Sequence, residues 1–185
     1  MNIPNFLSLL RIILVPVFVI FLIQSEYDKA LITFVIAGLT DALDGALARL
    51  LKCQTTLGAY LDPIADKLLL VTSFITLAIF GLIPGWLAVI VISRDFIILL
   101  GIAILTLMSV AYEIKPAVVS KMTTAFQVAT IFLALLYKAF FHDFDYFWII
   151  GLCWATALLT IISGVVYIIR GIRILNKSVP EEVQK

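Results

Sequence analysis

An apolar stretch long enough to cross a bilayer recurs six times along this chain, and that repetition constrains the fold more than any other feature. The first stretch ends near Ile23, and the others cover about 29–51, 57–80, 84–108, 118–141 and 146–170. Punctuation separates them: a polar segment from Lys52 to Thr56, a turn at Gly81 to Gly85, a loop from Glu113 to Pro116, and a break at His142, Asp143 and Asp145. No stretch alternates as a strand would. Apolar side chains make up 63% of the 185 residues and charged ones 14%, against roughly 25% charged in a soluble domain. The expected fold is therefore an all-α integral membrane protein of six transmembrane helices. Ile3, Phe6, Leu7 and Leu10 recur at helical spacing ahead of the first run, which predicts a short N-terminal interfacial helix. One membrane domain over 1–175 is expected, followed by a polar, disordered tail over 176–185.

Basic residues orient such a bundle. Arg11, Arg49, Lys52, Lys115, Lys121, Arg170, Arg173 and Lys177 gather at one set of loops and ends, against Lys29 and Lys138 opposite, so both termini are expected in the cytoplasm. No Arg- and Ser-rich leading segment is present, which favours a bacterial inner membrane over a mitochondrial one. The net charge of +1 gives no basis for nucleic-acid binding. Cys53 and Cys153 are too far apart for a paired metal or redox motif.

Against this apolar background stand four carboxylates on two adjacent spans: Asp41 and Asp44, then Asp62 and Asp66. An ionised Asp near the bilayer centre costs about 2.5 to 3.5 kcal/mol, so four of them need something positive to collect them. Helical spacing puts Asp41, Asp44 or Gly45, and Ala48 on one face, and Gly58, Asp62 and Asp66 on one stripe of the next helix. The short connection makes the two helices antiparallel neighbours. Gly45, Ala48 and Gly58 leave room for close approach. An all-oxygen ligand set with no His or Cys nearby suits a hard cation, Mg²⁺ or Mn²⁺, and two such ions could clamp a pyrophosphate. Arg49 would supply a fixed cation for a phosphate, and Asp66 is the candidate general base. A divalent-cation transporter would also place carboxylates in a membrane, though transport does not require Arg49 beside them.

The string Asp41-x-x-Asp44-Gly45-x-x-Ala48-Arg49, eight residues, then Gly58-x-x-x-Asp62-x-x-x-Asp66 resembles the signature of the CDP-alcohol phosphatidyltransferases at every defined position. The resemblance implies a six-helix membrane enzyme, usually a homodimer, that transfers the phosphatidyl group of a CDP-linked lipid to an alcohol and releases CMP. It implies two Mg²⁺ or Mn²⁺ ions held by Asp41, Asp44, Asp62 and Asp66, with Asp66 as base. It also implies a nucleotide site shaped by Asp41, Gly45, Ala48, Arg49 and Gly58. The opening stretch, with Asn2, Pro4, Asn5, Ser8 and Arg11, is similar to that of phosphatidylglycerophosphate synthases and eukaryotic-type cardiolipin synthases, whose donor is CDP-diacylglycerol; Asn5 is taken from it as a further site candidate.

The acceptor divides those two relatives. Where the glycerophosphate enzymes usually carry a second Arg and a second Lys, this chain has Ile102 and Thr123. Ser93-Arg94-Asp95, the segment from Ile114 to Lys121, and Gln127 instead resemble the cardiolipin synthases, which implies phosphatidylglycerol as acceptor, with glycerol 3-phosphate the alternative. Arg94, Lys121 and Lys115 are the acceptor-binding candidates. Because neighbouring residues on a helix point to different faces, Arg94 and Asp95 are not expected to bridge. Ser8 and Thr123 offer further hydroxyls, which in membrane helices often bond their own backbone.

Overall fold

The computed structural model describes residues 3–51, 56–108, 118–140 and 147–178, with the side chains of 3–6, 44–51, 56–63, 175, 177 and 178 outside that description. Six helices account for nearly all of it: α1 (Ile3–Ile23), α2 (Tyr27–Leu51), α3 (Thr56–Ile79), α4 (Gly85–Leu107), α5 (Val118–Phe140) and α6 (Phe147–Ser178). Their bounds lie within a few residues of the apolar stretches, except at the two chain ends. The expected interfacial helix is continuous with the first span: α1 runs unbroken from Ile3 to Ile23 although Pro16, inside it, withholds one amide from the backbone ladder. At the other end α6 carries on to Ser178, so the expected tail begins as helix, and 179–185 lie outside the described residues.

Two of the turns have a clear local cause. The Gly81 amide donates to the Ala78 carbonyl at 3.1 Å and the Leu82 amide to Leu77 at 2.9 Å, the paired bonds that close a helix around a left-handed residue. Gly81 takes φ +69° there, at no cost for a residue lacking Cβ. α1 ends in the same way, with Ser25 donating to Leu22 at 3.1 Å and Glu26 to Phe21 at 2.9 Å, but the left-handed position is Ser25, at φ +60°.

The distribution of side chains is inverted relative to a water-soluble bundle. Ser8, Arg11, Ser73, Arg94, Asp95, Gln127, Thr130, Thr156, Thr160 and Ser163 are buried, while Phe96, Leu99, Leu107, Phe147, Trp148, Trp154 and Leu158 face outward. Large apolar side chains around the perimeter with polar ones inside are what a hydrocarbon solvent selects. Among the described residues, three helices are long and apolar enough to cross a membrane: Gly85–Leu107, Val118–Phe140 and Phe147–Ile174. The apolar part of α1 is shorter, Leu7–Ile23, and α2 and α3 carry the acidic residues that interrupt theirs.

Packing divides the bundle into two halves. α1 lies against both α2 and α3, α6 lies against both α4 and α5, and the α2–α5 and α3–α4 pairings join the halves. A core containing Phe18, Phe34, Leu77, Leu87, Ile131 and Leu135 runs through the joint. Phe18 and Phe34 meet at a ring separation of 6.1 Å.

Candidate active site

In the first half, the buried stripe of α1 runs Ser8, Arg11, Val15, Phe18, Leu22, at alternating steps of three and four residues. That spacing carries Arg11 into the bundle, where the side chain is 0% exposed. Its guanidinium meets two carboxylates from two other helices. Nη2 lies 3.1 Å from Asp41 Oδ1 on α2, close enough for charge pairing, and Nη1 donates to Asp66 Oδ1 on α3. The carboxylates are far more open than the cation below them, at 51% and 42% exposed. Two of the four sequence-predicted acids are thus brought together, and the cation that collects them is Arg11. In the sequence Arg11 counts toward the orientation of the bundle and belongs to the opening stretch that carries the family resemblance, without a site role. Its spacing from Phe18 and Leu22 was the available signal. Arg11 Nε and Nη2 have no hydrogen-bond partner among the described residues, so the contact with Asp41 is an ion pair only.

The remaining motif positions, Asp44, Gly45, Ala48, Arg49, Gly58 and Asp62, stand on the α2 and α3 backbones, with side chains outside the described residues. The same holds for Asn5, and Lys115 lies outside entirely. Among the described residues, no three His, Cys, Asp or Glu side chains group as a metal site. The pair that is described fits a hard divalent ion by its donor chemistry: two half-open carboxylates, held within reach of one guanidinium, with no His or Cys grouped with them among the described residues.

The second half holds another buried arginine. Arg94 Nη1 donates to Asp95 Oδ1 at 2.7 Å, and Nη2 donates to Ser120 Oγ on α5 at 2.6 Å and to Ser163 Oγ on α6 at 2.8 Å. Both Arg94 and Asp95 side chains are 7% exposed. The expectation that these neighbours do not bridge is therefore corrected: the long Arg side chain folds back across the helix surface and reaches the adjacent carboxylate. Asp95 also pairs through Oδ2 with Lys67, the residue after Asp66. Gly164 faces the Arg94 stem, where a Cβ would stand at an ordinary van der Waals distance of 3.6 Å from Arg94 Cγ, and the guanidinium carbon sits 5.7 Å from the centre of the Tyr167 ring.

Of the other acceptor candidates, Lys121 is exposed in the first turn of α5, beside Ser120. Thr123 is buried and donates to the Val119 and Leu159 carbonyls at 2.8 and 3.1 Å, so its hydroxyl is spent on packing α5 against α6. Thr130 and Thr156 bond each other at 2.8 Å along the same seam. Ile102 lines a cavity of about 620 Å³ between α4 and α6, together with Phe96, Leu100, Tyr167, Arg170 and Arg173.

A model of the CDP-alcohol phosphatidyltransferases matches residues 1–169. The chain belongs to the CDP-alcohol phosphatidyltransferase family. Membership makes it an enzyme of phospholipid synthesis and a membrane protein, in keeping with its apolar perimeter, and sets aside the cation-transporter alternative. It is 31% identical over 178 residues to a Bacillus subtilis CDP-diacylglycerol–glycerol-3-phosphate 3-phosphatidyltransferase, covering 88% of this chain and 91% of the relative. It is 34% identical over 183 residues to a Rattus norvegicus cardiolipin synthase (CMP-forming), covering 90% of this chain and 60% of that protein. A Haemophilus influenzae CDP-diacylglycerol–glycerol-3-phosphate 3-phosphatidyltransferase is 45% identical over 105 residues, about half of either chain. The relatives thus include both acceptor types.

Proposed function

We propose that this phosphatidyltransferase moves the phosphatidyl group of CDP-diacylglycerol onto a hydroxyl of phosphatidylglycerol, giving cardiolipin and CMP. The observation that carries the choice of acceptor is the cavity between α4 and α6. Its wall is apolar at Phe96, Leu100 and Ile102 and cationic at Arg170 and Arg173. That combination suits the acyl chains and single phosphodiester charge of a lipid acceptor better than a water-soluble phosphate dianion, which needs several fixed cations close together. Ile102 and Thr123 remove two cations from the positions where the glycerophosphate enzymes usually carry them. A specific observation favours the second reading, glycerol 3-phosphate: the Bacillus relative named for that acceptor is matched nearly end to end.

The chemistry is a single in-line displacement. Asp66 takes the proton from the acceptor hydroxyl, the freed oxygen forms its bond to the lipid-side phosphorus, and the phosphorus–oxygen bond to CMP breaks with its electron pair leaving on CMP. Asp41, Asp44, Asp62 and Asp66 would hold two Mg²⁺ or Mn²⁺ ions, which when bound neutralise charge on the pyrophosphate. Arg49 fixes a donor phosphate, while Asp41, Gly45, Ala48 and Gly58 shape the nucleotide pocket. Lys115 and Lys121 draw the acceptor phosphate. Arg94, whose terminal nitrogens are all engaged, serves that site by holding Ser120 beside Lys121. The proposed six spans rest on the six apolar stretches, and the proposed cytoplasmic termini and active face, in a bacterial inner membrane, rest on the basic residues that flank the motif. The expected homodimer rests on the family resemblance.

The test is product identification. Purified protein in mixed micelles with Mg²⁺ and CDP-diacylglycerol is given phosphatidylglycerol or glycerol 3-phosphate, and the lipid product is identified by mass spectrometry. Cardiolipin with CMP release supports the lipid acceptor. Phosphatidylglycerophosphate formed only from glycerol 3-phosphate overturns it in favour of the second reading.

A further inference from the structure

We infer that Arg11 is the positioning residue of the carboxylate centre: one buried guanidinium, reaching from α1 to Asp41 on α2 and Asp66 on α3, fixes the separation at which the two acids receive a divalent cation. The inference rests on the metal-dependent reading of the site proposed above.

Three observations carry it. The first is the inside-out order of exposure, with the cation wholly enclosed and both acids half open. Each acid meets Arg11 through its Oδ1, so the guanidinium forms a floor and an ion approaches from the open side. The second is the fork. A planar guanidinium with two terminal nitrogens at fixed spacing can set the distance between carboxylates on two separate helices, which a point charge on a flexible stem cannot. The third is that Nε and Nη2 both lack a hydrogen-bond partner among the described residues, Nη2 meeting Asp41 by charge alone, whereas both terminal nitrogens of Arg94 are hydrogen-bonded. A buried donor left without a partner is unfavourable, so the placement of Arg11 is not explained by satisfying its own polar atoms; it is explained by where it puts the carboxylates.

Hydrogen-bond partners that hold metal-ligating carboxylates typically account for 10–100-fold in metal affinity. The experiment is a Mn²⁺ titration of the purified full chain in detergent micelles, without substrate, with unbound Mn²⁺ read by electron paramagnetic resonance. Arg11→Gln should raise the Mn²⁺ dissociation constant by about 10–100-fold. Arg11→Lys keeps a buried charge but loses the fork, and should fall between wild type and Arg11→Gln. Millimolar methylguanidinium should restore part of the affinity of Arg11→Ala and leave wild type unchanged. Should Arg11→Gln fail to fold, the Lys variant carries the test, because affinity of the folded protein is what is read. Unchanged or tighter Mn²⁺ binding in folded variants overturns the inference while leaving the metal reading intact. A wild-type protein that binds no Mn²⁺ overturns the metal reading itself, and the inference with it.

Discussion

The two buried arginines of this bundle meet their partners in opposite ways. Arg11 is enclosed beneath two acids that open outward, and it joins α1, α2 and α3. Arg94 is enclosed together with its acid, with both terminal nitrogens hydrogen-bonded to Asp95, Ser120 and Ser163 and Nε without a partner among the described residues, and it joins α4, α5 and α6. The same pairing of guanidinium with carboxylate therefore does different work. In the first half charge is left facing an opening, where a ligand can use it. In the second it is closed off, tying three helices at one point. Lys67, which follows Asp66 and pairs with Asp95, adds an ionic link to the packing that joins the two halves.

Breaking the closed pair should have the largest effect on stability. Asp95→Ala strands the Arg94 guanidinium in the core, and removing one partner of a buried ion pair costs about 3–5 kcal/mol. Thermal unfolding in detergent should show a large drop in midpoint. Asp41→Asn should do the reverse: a small change in unfolding, because Asp41 is half exposed and Arg11 keeps its bond to Asp66, with CMP release reduced by about 10²-fold or more. A large stability loss in Asp41→Asn would erase the contrast between the halves. At the end of α1, Ser25→Gly should stabilise the protein by up to about 1 kcal/mol, since it relieves a left-handed side-chain residue and disturbs no packing. Smallest is Thr156→Val on the α5–α6 seam, where interhelical hydrogen bonds in membranes average about 0.6 kcal/mol. Equilibrium unfolding in mixed micelles would measure both.

Much of this was readable from the chain. Helix positions follow from apolar length and punctuation, so 84–108 and 118–141 agree with α4 and α5 to within two residues. The acids of the motif stood out because carboxylates are rare in lipid-facing sequence. What could not be read depends on tertiary contact. Arg11 near a helix start looks like a headgroup-facing charge until α1 is known to sit between α2 and α3. The Arg94–Asp95 bond depends on side-chain reach, which helical spacing does not encode. Ser120 and Ser163 are two hydroxyls among many in apolar helices, and only packing selects them. Thr123, read as a lost cation, turned out to have a partner of its own in the Leu159 carbonyl.

In the proposed reaction, chemistry resides at the open pair, with Asp66 taking the proton. This is tested most directly by CMP release from CDP-diacylglycerol and phosphatidylglycerol by Asp66→Asn, measured beside its binding of CDP-diacylglycerol. We predict that donor binding is retained while turnover falls by about 10²–10⁴-fold. Turnover within a few-fold of wild type would contradict the account.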